Sequence, residues 1–343
     1  MFQYKVEKGF PVWSDGRVHT RLTHNPSSLR FSSVNPNLQN LPRLTSGDLA
    51  KWVKECFVAP EGYTFWARDY SGIEAVLVGY FAGSARYIRF AKLGVHAYLA
   101  SHLVARPADL SWSDADLRGY FKQLKKEEPV AYDTAKRCVH GSNYMMTPKK
   151  MYDEYPETFS TIKAAATLQG CYFELFPEIR DWHRDLCDRV DGTKRRRGEE
   201  GESVDPWTLG ISYVQNPFGY VHRFYSVLDW ERIDGKWYSS FGEDAKRLVS
   251  FLPQSTAAGI IKRATKRIWA EDREVTGESL RLLIHDEIFG ETLIKDVDRC
   301  LDVSQRLMEA PIPQLPLDPT WGLGEFLTIG TEPKVGPCWA QMR

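Results

Sequence analysis

The sequence predicts an α+β fold, because strand-forming and helix-forming runs are segregated along the chain rather than alternating. Three observations predict it. Residues 63–69 alternate Tyr63, Phe65 and Ala67 with other side chains, the period of a strand. Ile73, Val76, Leu77, Tyr80 and Phe81 then recur at the spacing of one helix face. Leu280 to Ile284 and residues 287–291 are short apolar runs on either side of His285-Asp286, the pattern of a hairpin. At 343 residues the chain has room for about two domains.

Taken in order, the first 45 residues are rich in Ser, Asn, Pro and Arg and read as extended or loop segments. The strand at 63–69 follows. Ser71 and Glu74 have the spacing of a capping box at the start of the next helix, which Gly83 ends. Residues 86–105 read as one helix, and 109–128 as a charged helical segment broken at Pro129. A helix over 131–146 stops before Pro148, and a long one over 161–190 is interrupted near Pro177. The stretch 191–206, with Lys194, Arg195, Arg196 and Arg197, reads as an insertion, either solvated or an arm that touches phosphates. Strands are expected over 211–239, with turns at Phe218-Gly219 and Asp234-Gly235. A helix is expected over 244–271, with Pro253 kinking it or starting its second part. The last 30 residues are Pro/Gly-rich, with a late Trp339.

Composition narrows the function classes. Forty-five basic residues balance 45 acidic ones, so net charge gives no support for a polyanion partner, and any such partner must be recognised locally. A hydrophobic share of 43% excludes a wholly disordered chain. No apolar run approaches the roughly 18 residues of a membrane span, so no membrane is expected as a partner. The N-terminus lacks an apolar secretion segment. Six cysteines without a C-x-x-C pair favour reduced thiols, hence a cytoplasmic setting.

The chemistry concentrates in two places. Asp69 ends a strand, where a carboxylate can hold a hard cation such as magnesium, although Asp at a strand end more often caps a helix. Asp286 and Glu287 lie side by side in the hairpin and repel each other unless a cation or solvent neutralises them. Strands that each deliver one Asp could build a two-metal site for phosphoryl transfer. On the helix 131–146, Lys136, His140 and Tyr144 follow at i, i+4 and i+8 and so share one face, while Ala135, Cys138 and Val139 supply the buried side. That row is either a solvated face or a nucleotide platform.

These segments together resemble the family A (polymerase I-like) DNA polymerases. The residues LRFSSVNPNLQNLP at 29–42 resemble the family's template–primer segment, and DYSGIE at 69–74 its motif A. KRCVHGSNY at 136–144 resembles motif B, PQSTAAGIIKRA at 253–264 the helix after it, and IHDE at 284–287 motif C. The resemblance implies a polymerase palm, an antiparallel sheet with packed helices, plus mostly helical fingers. Residues 1–82 and 211–343 would be palm, and 83–210 fingers. It implies template-directed addition of deoxynucleotides to a primer 3′-OH, with two Mg2+, or Mn2+ in their place.

Residue by residue, Asp69 and Asp286 would hold the metals with the Tyr70 carbonyl, and Glu287 would be an accessory carboxylate. Lys136 would meet the triphosphate and protonate the leaving pyrophosphate. His96 and His140 would line the nucleotide site, and Glu74 with Tyr144 would exclude a ribose 2′-OH. Arg30, Asn37, Gln39, Gln254 and His285 would contact primer–template DNA, reading the minor-groove acceptors present at every base pair.

The pattern has departures. Tyr132 stands where the family usually carries an Arg one turn before the fingers lysine, and Met145 stands where Gly is usual. Sequence resembling palm begins near residue 15, so thumb and exonuclease domains are expected to be absent. A separate polypeptide supplying them, or a processivity factor, is the expected partner beside DNA and deoxynucleoside triphosphates, in a phage-like setting. The rival expectations are a non-catalytic primer–template-binding subunit, and a single-subunit RNA polymerase or primase-like enzyme.

Overall fold

Alternation over 63–70 becomes the strand that organises one half of the molecule. The computed structural model describes residues 12–24, 28–42, 47–191, 212–234, 236–271 and 273–343. They fall into two units. One is built from Met1–Ser71, Ala257–Ile312 and Thr328–Arg343, the other from Gly72–Thr256 and Pro313–Leu327.

The first unit starts with β1 (Arg21–Thr23) and β2 (Ser32–Val34), paired antiparallel with Leu22 opposite Ser33, then α1 (Asp48–Glu55) and β3 (Tyr63–Tyr70). The chain then builds the second unit: α2 (Ile73–Phe81), α3 (Ala85–Leu93), α4 (Val95–Leu103), α5 (Asp114–Glu127), α6 (Pro129–Asn143), α7 (Pro148–Glu154), α8 (Ile162–Leu175) and α9 (Pro177–Val190). Two hairpins follow, β4 (Ser212–Gln215) with β5 (Val221–Phe224), and β6 (Leu228–Ile233) with β7 (Lys236–Phe241). Helix α10 (Ala245–Glu271) runs unbroken with Pro253 inside it. Then come β8 (Leu280–Ile284), β9 (Glu287–Leu293), α11 (Val297–Met308), β10 (Ile312–Pro316), β11 (Phe326–Leu327) and β12 (Thr331–Gly336). Among the described residues, no helix is long and apolar enough to cross a membrane.

The first unit's main sheet has the order β12-β3-β9-β8, all antiparallel. Successive side chains of β3 point to opposite faces. Phe65 and Ala67 join Leu38, Leu282 and Phe289 in an apolar core on one face. Trp66, Arg68 and Tyr70 point to the other. Trp66 lies opposite Gly290, where any Cβ would come within 2.4 Å of the indole, so only glycine fits. The Arg68 guanidinium is buried, which is tolerable only with partners. It donates to Ser304 Oγ at 3.0 Å, Thr331 Oγ1 at 3.0 Å and the Leu301 carbonyl at 2.9 Å. The Tyr70 hydroxyl donates to the Met308 carbonyl at 2.9 Å. These bonds tie β3 to α11.

The second unit's helices begin where short polar residues accept an orphan N–H. Ser84, Ser113, Thr147 and Thr161 cap α3, α5, α7 and α8 in this way. Its core is aromatic, with Phe90 stacked on Tyr98 at 4.1 Å and Tyr87 edge-on to Phe176 at 4.8 Å. A buried polar knot fixes the end of α6. Tyr87 and Tyr172 both donate to Asn143 Oδ1, at 3.0 and 2.5 Å, and His183 Nε2 donates to the Asn143 carbonyl at 3.0 Å.

Two expectations are corrected. The single helix over 86–105 is two helices, because Gly94 takes φ 137 between α3 and α4, a conformation that suits only glycine, with Phe121 packed 3.3 Å from where a Cβ would stand. The capping box at Ser71 and Glu74 does not form. Helix α2 starts at Ile73 behind Gly72 at φ 62 with no side-chain cap, and the Ser71 N–H donates to the Gly330 carbonyl. In the Pro/Gly-rich last 30 residues, β12 completes the main sheet. Most of the insertion expected at 191–206 lies outside the described residues.

Candidate active site

The first unit brings acids together by register. Asp69 on β3 lies directly opposite Glu287 on β9 and opposite Glu332 on β12, so three carboxylates stand on one rung of the sheet. The Tyr70 N–H donates to the Asp286 carbonyl at 3.3 Å, which holds the hairpin turn beside the end of β3. His285 makes that two-residue turn at φ 54, an uncommon conformation outside glycine. Like charges opposite one another on a sheet repel. The cost is visible at Asp69: burial first, then Glu287, push its carboxyl up to about 6, with Asp286 and Glu332 adding to the rise and Lys334 opposing it.

Two basic side chains offset this charge. Arg30 Nη2 donates to both oxygens of Asp286, at 2.9 and 3.1 Å. Lys334 on β12 pairs with Glu287 Oε2 and lies 3.9 Å from Asp69 Oδ2. Burial pulls the Lys334 ammonium down, but Glu287, with Asp69 and Glu332, outweighs burial and holds it above the usual lysine range. Glu291, on the same face, is held likewise by Arg17 at 3.0 and 3.1 Å and by Arg281 at 3.5 Å.

The residues expected at the metals therefore form an all-oxygen donor set: the carboxylates of Asp69 and Asp286 and the carbonyl of Tyr70. That set and its crowded negative charge suit a hard divalent cation. Among the described residues no three Asp, Glu, His or Cys side chains are gathered to hold an ion as they stand. Asp286 and Glu287 are turned to Arg30 and Lys334.

Of the residues expected at DNA, Arg30, Asn37, Gln39 and His285 belong to the first unit and Gln254 to the second. Arg30 is on Asp286. The Gln39 amide spans two elements, accepting from the Ser33 N–H at 3.0 Å and donating to the Leu283 carbonyl at 2.7 Å. Asn37 Oδ1 accepts from the Asn40 N–H at 3.2 Å. His285 is exposed at the hairpin tip. Gln254, in the second unit, is half-buried on α10. Lys149 and Lys150 are spent on i,i+4 pairs with Asp153 and Glu154, and Lys262 lies over the Phe31 ring at 5.3 Å.

The second unit gathers the residues expected at the nucleotide. The Tyr144 hydroxyl donates to Glu74 Oε2, joining the end of α6 to the start of α2. The His140 ring meets Tyr144 edge-on at 5.2 Å. His96 on α4 stands against the same helix, edge-on to Tyr132 at 6.0 Å. Burial first, then Lys136, His140 and Lys125, lower the His96 imidazole to about 4, so it is neutral at pH 7. Lys125 on α5 lies over the Tyr132 ring at 5.1 Å, a cation–π contact.

Sequence reasoning missed Lys334, Glu332 and Lys125. Lys334 and Glu332 enter the site through strand register, which no local pattern announces, and Lys125 sits in a run of lysines that reads as solvent-facing.

Comparisons with known proteins bear on this geometry. A family model described as DNA polymerase family A matches residues 6–198. A thermostable DNA polymerase I of Thermus thermophilus is 29% identical over 318 residues, 90% of this chain and 32% of the relative. The DNA polymerase I of Mycobacterium bovis is 33% identical over 320 residues, 91% of this chain and 30% of the relative. The chain thus spans about a third of the length of these curated relatives. Among solved structures, the POL domain of Pol1 from M. smegmatis, in complex with DNA primer-template and dNTP, matches with a TM-score of 0.67 at 21% identity. The match covers 96% of this chain and 49% of that one, and is a likeness of fold.

Proposed function

This chain belongs to DNA polymerase family A, and we propose that it is a template-directed DNA polymerase core that joins deoxynucleotides to a primer 3′-OH with release of pyrophosphate. The observation that carries the reading is the meeting of Asp69 and Asp286, far apart in sequence, through the Tyr70–Asp286 backbone hydrogen bond and the Asp69–Glu287 register.

When bound, a pair of magnesium or manganese ions would activate the attacking oxygen and steady the leaving one. The chain's own residues do the rest. Asp69, Asp286 and the Tyr70 carbonyl are the ligands, with Glu287 as the accessory carboxylate. Arg30 must leave Asp286 for that carboxylate to serve, and once released its fork can reach minor-groove acceptors. Gln39 spends one amide N–H on Leu283 and keeps a second for DNA. Asn37, Gln254 and His285 are the other DNA contacts of the reading.

Lys136 meets the triphosphate and hands a proton to the departing pyrophosphate, a role that calls for a cation where negative charge develops. His96, neutral, can donate one hydrogen bond to a phosphate oxygen without bringing charge. His140 contributes to the same face. Tyr132 carries no charge where the family usually has an arginine, and Lys125, held over its ring, restores a cation there. Glu74, fixed by Tyr144, fills the space a ribose 2′-OH needs and so selects deoxynucleotides.

The test is primer extension on an annealed primer–template with Mg2+ and deoxynucleoside triphosphates. Asp69→Asn and Asp286→Asn are expected to lose extension by roughly a thousandfold while keeping the circular-dichroism spectrum of the wild type. Wild-type-like extension by either variant would overturn the assignment.

A further inference from the structure

Lys334 stands directly opposite Ala67 on β3, and Ala67 opposite Phe289 on β9. The neighbouring rung on the same face carries Glu332, Asp69 and Glu287. Ala67 presents only a methyl group, so the lysine stem can cross β3 above it. The ammonium thereby reaches the third strand and pairs with Glu287 Oε2, with Asp69 Oδ2 3.9 Å away. A larger residue at 67 would block that path. Solvent has access: the Lys334 side chain is 38% exposed and Asp69 43%, while Glu287 is 12% exposed. A cavity of about 220 Å3, lined by Gln39, Lys54, Ile284, Glu287, Lys334 and Trp339 among others, adjoins the pair and has room for several waters or a hydrated ion.

Resting on the reading of Asp69 and Asp286 as metal ligands, we infer that Lys334 is a tethered cation that occupies the carboxylates in place of a divalent ion and competes with it. Glu287 cannot pair with Lys334 and turn to a metal at the same time. A divalent ion at Asp69 meets a like charge a few ångströms away. Lys334 is a positioning residue: it keeps a crowded rung of acids compatible with folding, and it weakens metal loading until the ammonium swings aside. Merely structural damage to β12 would weaken metal binding, whereas removal of a competing cation strengthens it, so the sign of the effect separates the two.

The experiment titrates Mn2+ into the full chain without nucleotide or DNA and follows the free ion by electron paramagnetic resonance. Lys334→Met keeps the apolar stem and removes the charge, and its Mn2+ dissociation constant is expected to fall about tenfold, the scale of one half-exposed charge at this range. Lys334→Gln, a polar alternative should the methionine perturb the strand, is expected to move the same way, and Lys334→Arg to stay near wild type. Unchanged or weaker Mn2+ binding by the Met and Gln variants would overturn the inference. Asp69→Asn separates the two levels. If it binds Mn2+ as wild type does, the metal reading itself fails; if it loses Mn2+ while Lys334→Met and Lys334→Gln do not tighten, only the role of Lys334 falls.

Discussion

In the first unit, carboxylates share one rung and one turn of a sheet, and basic side chains hold two of them in pairs, Asp286 with Arg30 and Glu287 with Lys334, while Arg17 holds Glu291 farther along β9. In the second, Lys136, His140, Lys125 and His96 crowd one helix face, and the structure answers by keeping His96 neutral. Both concentrate one sign of charge, but by different means. An acid rung can borrow a cation from a neighbouring strand because register sets opposite residues a fixed distance apart. On the helix face, burial keeps the His96 imidazole uncharged and a cation–π contact seats Lys125 on Tyr132.

Breaking each unit at its own fastening gives the largest effects. Asn143→Leu removes the acceptor that Tyr87 and Tyr172 share and leaves the two buried hydroxyls only their bond to each other, at 3.1 Å. It is expected to cost the second unit about 2–4 kcal/mol, read as an earlier loss of protection in hydrogen exchange over 72–190 with 63–70 less affected. Equal loss in both units would contradict the separation drawn here. Next in size, Glu74→Ala is expected to lower discrimination against ribonucleotides by about 10- to 100-fold, measured by incorporation kinetics, with Tyr144→Phe shifting it less. An unchanged ratio would remove the gate from Glu74.

Acid should split the two units in sign. Burial lowers His96 and His183 to about 4, so between that value and 6.5 the unfolded chain holds protons that the folded one refuses. Their stabilising contribution is present above pH 6.5 and is lost as pH falls towards 4. Asp69 is raised to about 6, so between 3.8 and 6 the folded state keeps a proton that the unfolded chain releases, and this group adds stability as pH falls. Hydrogen exchange at pH 7 and pH 5 is expected to weaken the second unit first, and His183→Asn to reduce that sensitivity. The smallest effect is expected from Lys125→Ala, which should raise the KM for deoxynucleoside triphosphates about three- to fivefold with kcat little changed.

How much of this was legible in the sequence depended on whether the signal was local. The strand at 63–70, the helices α2 and α6, the break at Pro177 and the hairpin around His285-Asp286 each follow from a period or a turn residue within a dozen positions. Gly94 was not legible as a helix break, because apolar residues continue at helical spacing on both sides and one glycine does not by itself end a helix. β12 was hidden because an edge strand bearing Pro333 has the composition of a loop. At the candidate site, Asp69, Glu74, Lys136 and Asp286 stood out by residue type and by resemblance. The pairs Arg30–Asp286 and Lys334–Glu287 did not, since each depends on which strands become neighbours and at what register.

The proposed role of Asp69 and Asp286 is to hold divalent cations together. Anomalous scattering from a crystal grown with Mn2+, primer–template and a deoxynucleoside triphosphate tests it most directly. The account predicts manganese peaks bonded to oxygens of both Asp69 and Asp286, with Arg30 and Lys334 displaced from them. Manganese bound elsewhere, with those two salt bridges intact, would contradict it.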